Sequence, residues 1–271
     1  MDTNRLNSVL VSVKWLQKEI DNPNLIILDA TINKKISESA LRIPKARFFD
    51  IKQKFSDVNS IFPSTLPSAE QFQSDARKLG INEDSLIIVY DDKGIYSSPR
   101  AWWLFKTFGF DNVAVLNGGL PEWRNKGFLV ESYSSEHYSI GNIEVNFNSD
   151  LITDYEGLQD FILDSERIII DARSSERFNC QVPEPREGLR RGNIPSSINL
   201  HYQELLIGNK LKSKTSLLEL LEPLSRNKKK VVFSCGSGIT ACILALAATI
   251  CNFKNITVYD GSWTEYGSLT T

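Results

Sequence analysis

The chain repeats itself, and the repetition limits its fold more than any other feature. Four short segments recur in the same order. Leu25-Ile26-Ile27-Leu28-Asp29-Ala30 returns as Arg167-Ile168-Ile169-Ile170-Asp171-Ala172. Arg42-Ile43-Pro44 with Ala46 returns as Asn193-Ile194-Pro195 with Ser197. Ile87-Ile88-Val89-Tyr90-Asp91 aligns with Val231-Val232-Phe233-Ser234-Cys235. Val115-Leu116-Asn117-Gly118 through Trp123 aligns with Val258-Tyr259-Asp260-Gly261 through Tyr266. The offsets are 142, 151, 144 and 143 residues. The outlier predicts an insertion of several residues in the second copy, between Asp171 and Pro195. That stretch holds Cys180, Glu184 and Arg186.

Tandem duplication of one α/β unit follows. In each copy, apolar strands alternate with amphipathic stretches, which predicts a parallel sheet with helices on both faces. The length of 271 residues suits two domains of ordinary size. Ser132 to Ser149 is rich in Ser and Asn and lacks a long apolar run, so the linker is placed there. The expected domains are residues 1–140 and 150–271. The copies are unequal: Asp91 stands in the first where Cys235 stands in the second. The first is therefore expected to be a non-catalytic partner. Its paired Trp102 and Trp103 are expected in a core or interface.

Composition removes several functions. A net charge of −2 gives no basic excess for nucleic acid, and Lys228-Lys229-Lys230 reads as a solvated turn. The longest apolar run, Ala241 to Cys251, is about half of what a bilayer span needs. Met1 to Arg5 lack a signal peptide's charged-then-apolar design, so the expected compartment is the cytosol. Cysteines at 180, 235, 242 and 251 show no Cys-x-x-Cys spacing, and there are two histidines. Zinc is not expected, nor any other metal or cofactor. The thiols are expected free, with Cys242 and Cys251 as packing residues.

Cys235 is different because of its place. Val231 to Ser234 read as a buried strand and Ala241 to Ile250 as a helix. The intervening Cys235-Gly236-Ser237-Gly238-Ile239-Thr240 lies at the carboxyl end of a strand, where α/β sheets place their sites. Its glycines let backbone N–H groups turn inward as an anion nest, and the helix N-terminus adds about half a positive charge. These features favour a thiolate. An inert buried cysteine beside a glycine turn is the bland alternative. A P-loop is excluded by the missing Gly-Lys-Ser/Thr ending. A cysteine phosphatase needs an arginine six positions after the cysteine, where Ala241 stands.

The chain resembles the two-domain rhodanese-family sulfurtransferases, and among them the 3-mercaptopyruvate sulfurtransferases. The residues that carry the likeness are Cys235 to Ala241, Asp171-Ala172-Arg173, Arg177-Phe178, Glu184-Pro185-Arg186, Asp260-Gly261-Ser262-Trp263, and Ser98-Pro99-Arg100 with Trp102-Trp103. The resemblance implies tandem rhodanese-like domains, each a central parallel sheet flanked by helices. It implies that Cys235 takes sulfur from 3-mercaptopyruvate as a persulfide and passes it to a thiol or cyanide, with a thioredoxin-like protein among the acceptors. Arg177 and Arg186 are implied to hold the donor's carboxylate and keto group, which suits a guanidinium pair. Ser237 would bond the thiolate or assist a proton transfer. Gly236, Gly238, Ile239 and Thr240 would form the anion cradle, with Asp171 and Arg173 in support.

Two departures stand out. The family's usual His-Ile-Pro-Gly is Arg42-Ile43-Pro44-Lys45 in one copy and Asn193-Ile194-Pro195-Ser196 in the other. Arg42 cannot act as a base near neutral pH. Neither His137 nor His201 falls on a family motif. The neutral loop, without the basic residues carried by enzymes that prefer thiosulfate, favours a monoanionic 2-oxo acid. Two other functions remain open from sequence: a thiosulfate:cyanide sulfurtransferase, and a persulfide carrier in a sulfur relay.

Overall fold

The computed structural model describes residues 5–37, 39–134, 137–226 and 228–270. The chain forms two compact units. One comprises Met1–Asp57, Leu66–Phe147 and Gly208–Lys210; the other comprises Val58–Thr65, Asn148–Ile207 and Leu211–Thr271.

The first unit holds strands β1 (Leu10–Ser12), β2 (Leu25–Asp29), β3 (Arg47–Phe48), β4 (Leu86–Tyr90) and β5 (Val113–Asn117). They pair in parallel in the order β1-β5-β4-β2-β3. The second holds β6 (Ile152–Thr153), β7 (Arg167–Asp171), β8 (Ser197–Asn199), β9 (Lys230–Ser234) and β10 (Ile256–Tyr259). Their order is β6-β10-β9-β7-β8, again parallel. Each strand sits where its counterpart in the other unit sits, so the duplication extends to topology. Central strands of such a sheet are covered on both faces and carry unbroken apolar runs. β4 is buried at every residue and β9 at all but its first.

Helices α1 (Val13–Glu19), α2 (Ala69–Lys78), α3 (Ser98–Thr107) and α4 (Gly119–Asn125) belong to the first unit. Helices α5 (Tyr155–Leu163), α6 (Ser175–Phe178), α7 (Lys214–Ser225), α8 (Ala241–Ile250) and α9 (Ser262–Leu269) belong to the second. Side chains of Ser12, Ser68, Asp154, Ser174 and Ser213 cap α1, α2, α5, α6 and α7 by accepting a backbone N–H three residues on. The short α6 lies in the inserted stretch and has no helical partner among the described residues of the first copy. Helix α8 is buried from Ala241 to Ala248 and packs on β9 and β10. Trp102 and Trp103 of α3 are buried likewise, in the first unit's core.

The copies also share individual backbone bonds. Ala30 N–H donates to Tyr90 O at 2.8 Å, as Ala172 N–H does to Ser234 O at 2.8 Å. Leu120 N–H donates to Asp91 O, and Trp263 N–H to Cys235 O, each at 3.0 Å. The turn residues Lys45 and Ser196 both adopt left-handed backbone, with φ of 65° and 60°. Both follow a buried isoleucine and Pro, Ile43-Pro44 and Ile194-Pro195.

Residues 137–148 contain no helix or strand, yet they are not loose. Gly141 N–H bonds Arg77 O, Ile143 N–H bonds Ile81 O, and Asn146 N–H bonds Phe108 O. A Cβ on Gly141 would stand 2.0 Å from Ile81 O, so only glycine allows this approach. The segment expected as a linker is strapped to the first unit up to Phe147.

Ser196→Gly should stabilise the protein by about 0.5–1 kcal/mol. The left-handed cost of a residue bearing a Cβ, about 1–2 kcal/mol, exceeds the extra entropy glycine loses on folding, about 0.5–1 kcal/mol. Urea unfolding tests this: a lower midpoint would mean that the exposed serine side chain itself holds the turn.

Candidate active site

Asp171 and Ser234 are paired across β7 and β9 at the carboxyl end of the second sheet. Cys235 is the next residue, 1% exposed, and opens the loop that leads into α8. Gly238 takes a φ of 74°, which turns the loop back. The start of α9 anchors it. Trp263 N–H donates to Cys235 O, and both N–H and Oγ1 of Thr264 donate to Gly236 O, at 3.0 and 2.6 Å.

Ser262 locks the same loop from below. Its Oγ accepts from Cys235 N–H at 3.0 Å and Gly238 N–H at 3.1 Å, and donates to Tyr259 O at 2.9 Å. It lies 3.8 Å from Cys235 Sγ. Ser262 is fully buried with a φ of 51°, and stands where the first copy has Gly119, with a φ of 50°. The sequence reading gave it no role. Its signal was a serine replacing a left-handed glycine between the copies. One expectation is corrected: Gly238 N–H points at Ser262, and so does not belong to an anion cradle around the sulfur.

The first unit shows what this loop can hold. Asp91-Asp92-Lys93-Gly94-Ile95 aligns without a gap on Cys235-Gly236-Ser237-Gly238-Ile239. Asp91 is fully buried, and its carboxylate accepts five hydrogen bonds. N–H groups of Lys93, Tyr96, Ser97 and Ser98 donate at 2.9–3.0 Å, and Ser98 Oγ donates at 2.6 Å. A buried charge tolerates desolvation only when bonded in this way. The four backbone donors correspond to Ser237, Thr240, Ala241 and Cys242. Among the described residues, the N–H groups of Gly236, Ser237, Ile239 and Thr240 have no recorded acceptor. Ser237 and Thr240 are half-buried and Ile239 is buried. No hydrogen bond from the Ser237 hydroxyl to Cys235 is present; the hydroxyl beside the sulfur is that of Ser262.

The arginines have unlike surroundings. Arg173 has a fully buried side chain, bonded to Asp171 through Nε and Nη2. Its other contacts are Glu184 Oε1 at 2.8 Å, Gly192 O at 2.9 Å, and the Trp263 ring, 4.9 Å from its guanidinium carbon. Arg177, on α6, gives Nη2 to Glu184 Oε2 at 2.6 Å and Nε to Oε1 at 3.4 Å. A Cβ on Gly236 would stand 3.0 Å from Arg177 Nη2, so the glycine admits this guanidinium to the loop. Arg186 is exposed, and among the described residues its side chain has no ion pair or hydrogen bond. Glu184, quoted from the motif without a role, proves to bridge Arg173 and Arg177 with a side chain 1% exposed.

Other candidates fall elsewhere. Arg42 is buried in the first unit, spent on Glu131 and on Ala46 O. Asn193 donates to Phe178 O. Cys242 gives its thiol to Gly238 O at 3.2 Å, and burial pushes the Cys251 thiol up, as packing residues. Cys180 is exposed, with a φ of 62°. Among the described residues no helix is long and apolar enough to cross a membrane.

Comparison with known proteins agrees with this architecture. The family model described as the rhodanese-like domain matches twice, at residues 12–126 and 155–269. The chain is 36% identical over 267 residues to the 3-mercaptopyruvate sulfurtransferase of Escherichia coli (strain K12), covering 95% of this chain and 94% of that one. It is 34% identical over 293 residues to the mitochondrial thiosulfate/3-mercaptopyruvate sulfurtransferase 1 of Arabidopsis thaliana, covering 96% of this chain and 76% of that one. The crystal structure of SseA from Escherichia coli superposes with a TM-score of 0.85 at 34% identity, over 94% of this chain and 99% of that chain. With both units matched and relatives aligned along nearly the whole chain, this protein belongs to the rhodanese family of sulfurtransferases.

Proposed function

We propose that the protein transfers sulfur from 3-mercaptopyruvate through a persulfide on Cys235 to a thiol or cyanide acceptor. The observation that carries this reading is internal. The loop that holds a buried carboxylate with five donors in the first unit holds a thiol in the second. The site is thus built for a negative charge that Cys235 brings only as thiolate or persulfide.

Arg186 and the outer edge of Arg177 bind the donor's carboxylate and keto oxygen. Cys235 thiolate attacks the donor sulfur. A sulfur–sulfur bond forms and the carbon–sulfur bond breaks, leaving its electron pair on carbon as pyruvate enolate, which takes up a proton. The terminal persulfide sulfur lies toward the N–H groups of Ser237, Thr240 and Ala241, which steady its charge as an oxyanion hole would. An acceptor thiolate then attacks that sulfur and carries it off, returning Cys235 as thiolate. Ser262 holds the backbone of Cys235 and Gly238 in register throughout. Asp171 and Arg173 support the arginine face, and Ile239 closes the loop's apolar side. The first unit, with Asp91 in the cradle, carries no turnover of its own. Four cysteines outside any disulfide suit a reducing compartment, the cytosol, where small thiols and thioredoxin-like proteins serve as acceptors.

The first test measures pyruvate and sulfide from 3-mercaptopyruvate, with thiosulfate in parallel, each with a thiol acceptor. Pyruvate release exceeding thiosulfate use supports the reading. A preference for thiosulfate makes the protein a thiosulfate sulfurtransferase, and stoichiometric loading without turnover makes it a carrier. Cys235→Ser should abolish release with both donors, and retained activity would sink the mechanism.

Arg186→Ala should raise KM for 3-mercaptopyruvate by about 10- to 100-fold with a smaller change in kcat, the loss of one charge-assisted contact to the carboxylate. Steady-state kinetics decide it. An unchanged KM would remove Arg186 from the site.

A further inference from the structure

Four charged side chains run without a break from beneath the second sheet's carboxyl end to the reactive loop. Asp171 pairs with Arg173 at 2.8 Å, Arg173 with Glu184 at 2.8 Å, and Glu184 with Arg177 at 2.6 Å. Two guanidinium and two carboxylate charges cancel along this row. Only Arg177 has appreciable exposure, 25%, and it is the member that stands beside Gly236. Both Nε and Nη2 of Arg177 face Glu184, so the guanidinium that borders the loop already carries its counterion. Residues 235–240 add no charged side chain. Arg186 is an exposed cation of the inserted segment that makes no ion pair among the described residues, while Arg190 turns its guanidinium to Thr270 O and Oγ1 and Arg191 to Cys180 O.

The geometry points to Glu184 as a specificity-determining residue. By neutralising Arg177 beside Gly236 it lowers the positive charge at the loop, which favours a monoanionic 2-oxo acid over a dianion. The inference rests on the functional reading above, in which these arginines meet the donor. It differs from a role in packing. A carboxylate that only braced α6 would, when altered, weaken monoanion and dianion alike. A charge-setting carboxylate moves them apart, because an added positive charge acts twice as strongly on a dianion.

The test uses the full chain and two inert probes, pyruvate as the monoanion and sulfate as the dianion. Each protects Cys235 from iodoacetamide, read by mass at the Cys235 peptide. Glu184→Gln uncovers the charge of Arg177 and should tighten sulfate relative to pyruvate by about tenfold. The thiosulfate-to-mercaptopyruvate ratio of kcat/KM should move in the same direction. Glu184→Asp keeps the charge and should keep the wild-type ratio. An unmoved ratio in folded Glu184→Gln overturns the inference. So does a shifted ratio in Glu184→Asp, which decides the matter if Glu184→Gln does not fold. Pyruvate release by the wild type is measured alongside. Its absence overturns the functional reading, whereas an unmoved protection ratio with release intact overturns the role of Glu184 alone.

Discussion

Everything in this protein's chemistry depends on the convergence of backbone N–H groups at the turn that follows the central strand of each sheet. Four such groups and a serine hydroxyl meet the carboxylate of Asp91 in the first unit. There the anion is covalently part of the turn and permanently present, so the convergence serves folding. With a thiol at the same position, the N–H groups of Ser237 and Thr240 have no acceptor among the described residues, and that of Cys242 turns to Ile239 O. Equivalent turns thus hold a carboxylate in one copy and a thiol in the other, with Ser262 added beneath the second where the first has Gly119.

The buried acids beneath the two turns follow the same logic with different counterions. Asp29 and Asp171 end equivalent strands and are both fully buried. Asp29 is satisfied by Lys34 Nζ at 2.5 Å, by Thr31, and by the hydroxyls of Tyr90 and Tyr133. Burial and the Asp29 charge push both phenols up, so they stay protonated and keep donating. That cluster closes on itself. Asp171 is met by Arg173, whose planar fork has donors left over for Glu184, and Glu184 passes the pairing on to Arg177. Lysine ends a network where arginine extends one, and the extension reaches the reactive loop. Breaking the row strands a buried charge, since the side chains of Asp171, Arg173 and Glu184 are at most 1% exposed.

Much of this was legible in the sequence. The repeats marked equivalent strands because a fully buried parallel strand needs an unbroken apolar run. The helix expected at Ala241 to Ile250 is α8. The reactive loop was legible because glycine spacing and a strand–helix junction act locally. Arg42 shows where such reading stops. Its sequence position suggests a replacement for a family histidine, but its guanidinium is taken by Glu131, 89 residues away. The stretch after Ser132 reads as a linker by composition, and still packs its Ile143 wholly inside the first unit.

By itself the sequence determined the duplicated α/β architecture, the strand–loop–helix around Cys235, and the unequal residues at its centre, because periodicity and turn chemistry are set by neighbours along the chain. The tertiary structure alone decided which donors remain for a sulfur anion, that Ser262 takes the N–H of Gly238, and that Glu184 joins two arginines. Those outcomes are choices among competing hydrogen-bond partners. They are settled only when folding removes water and brings distant groups within about 3 Å.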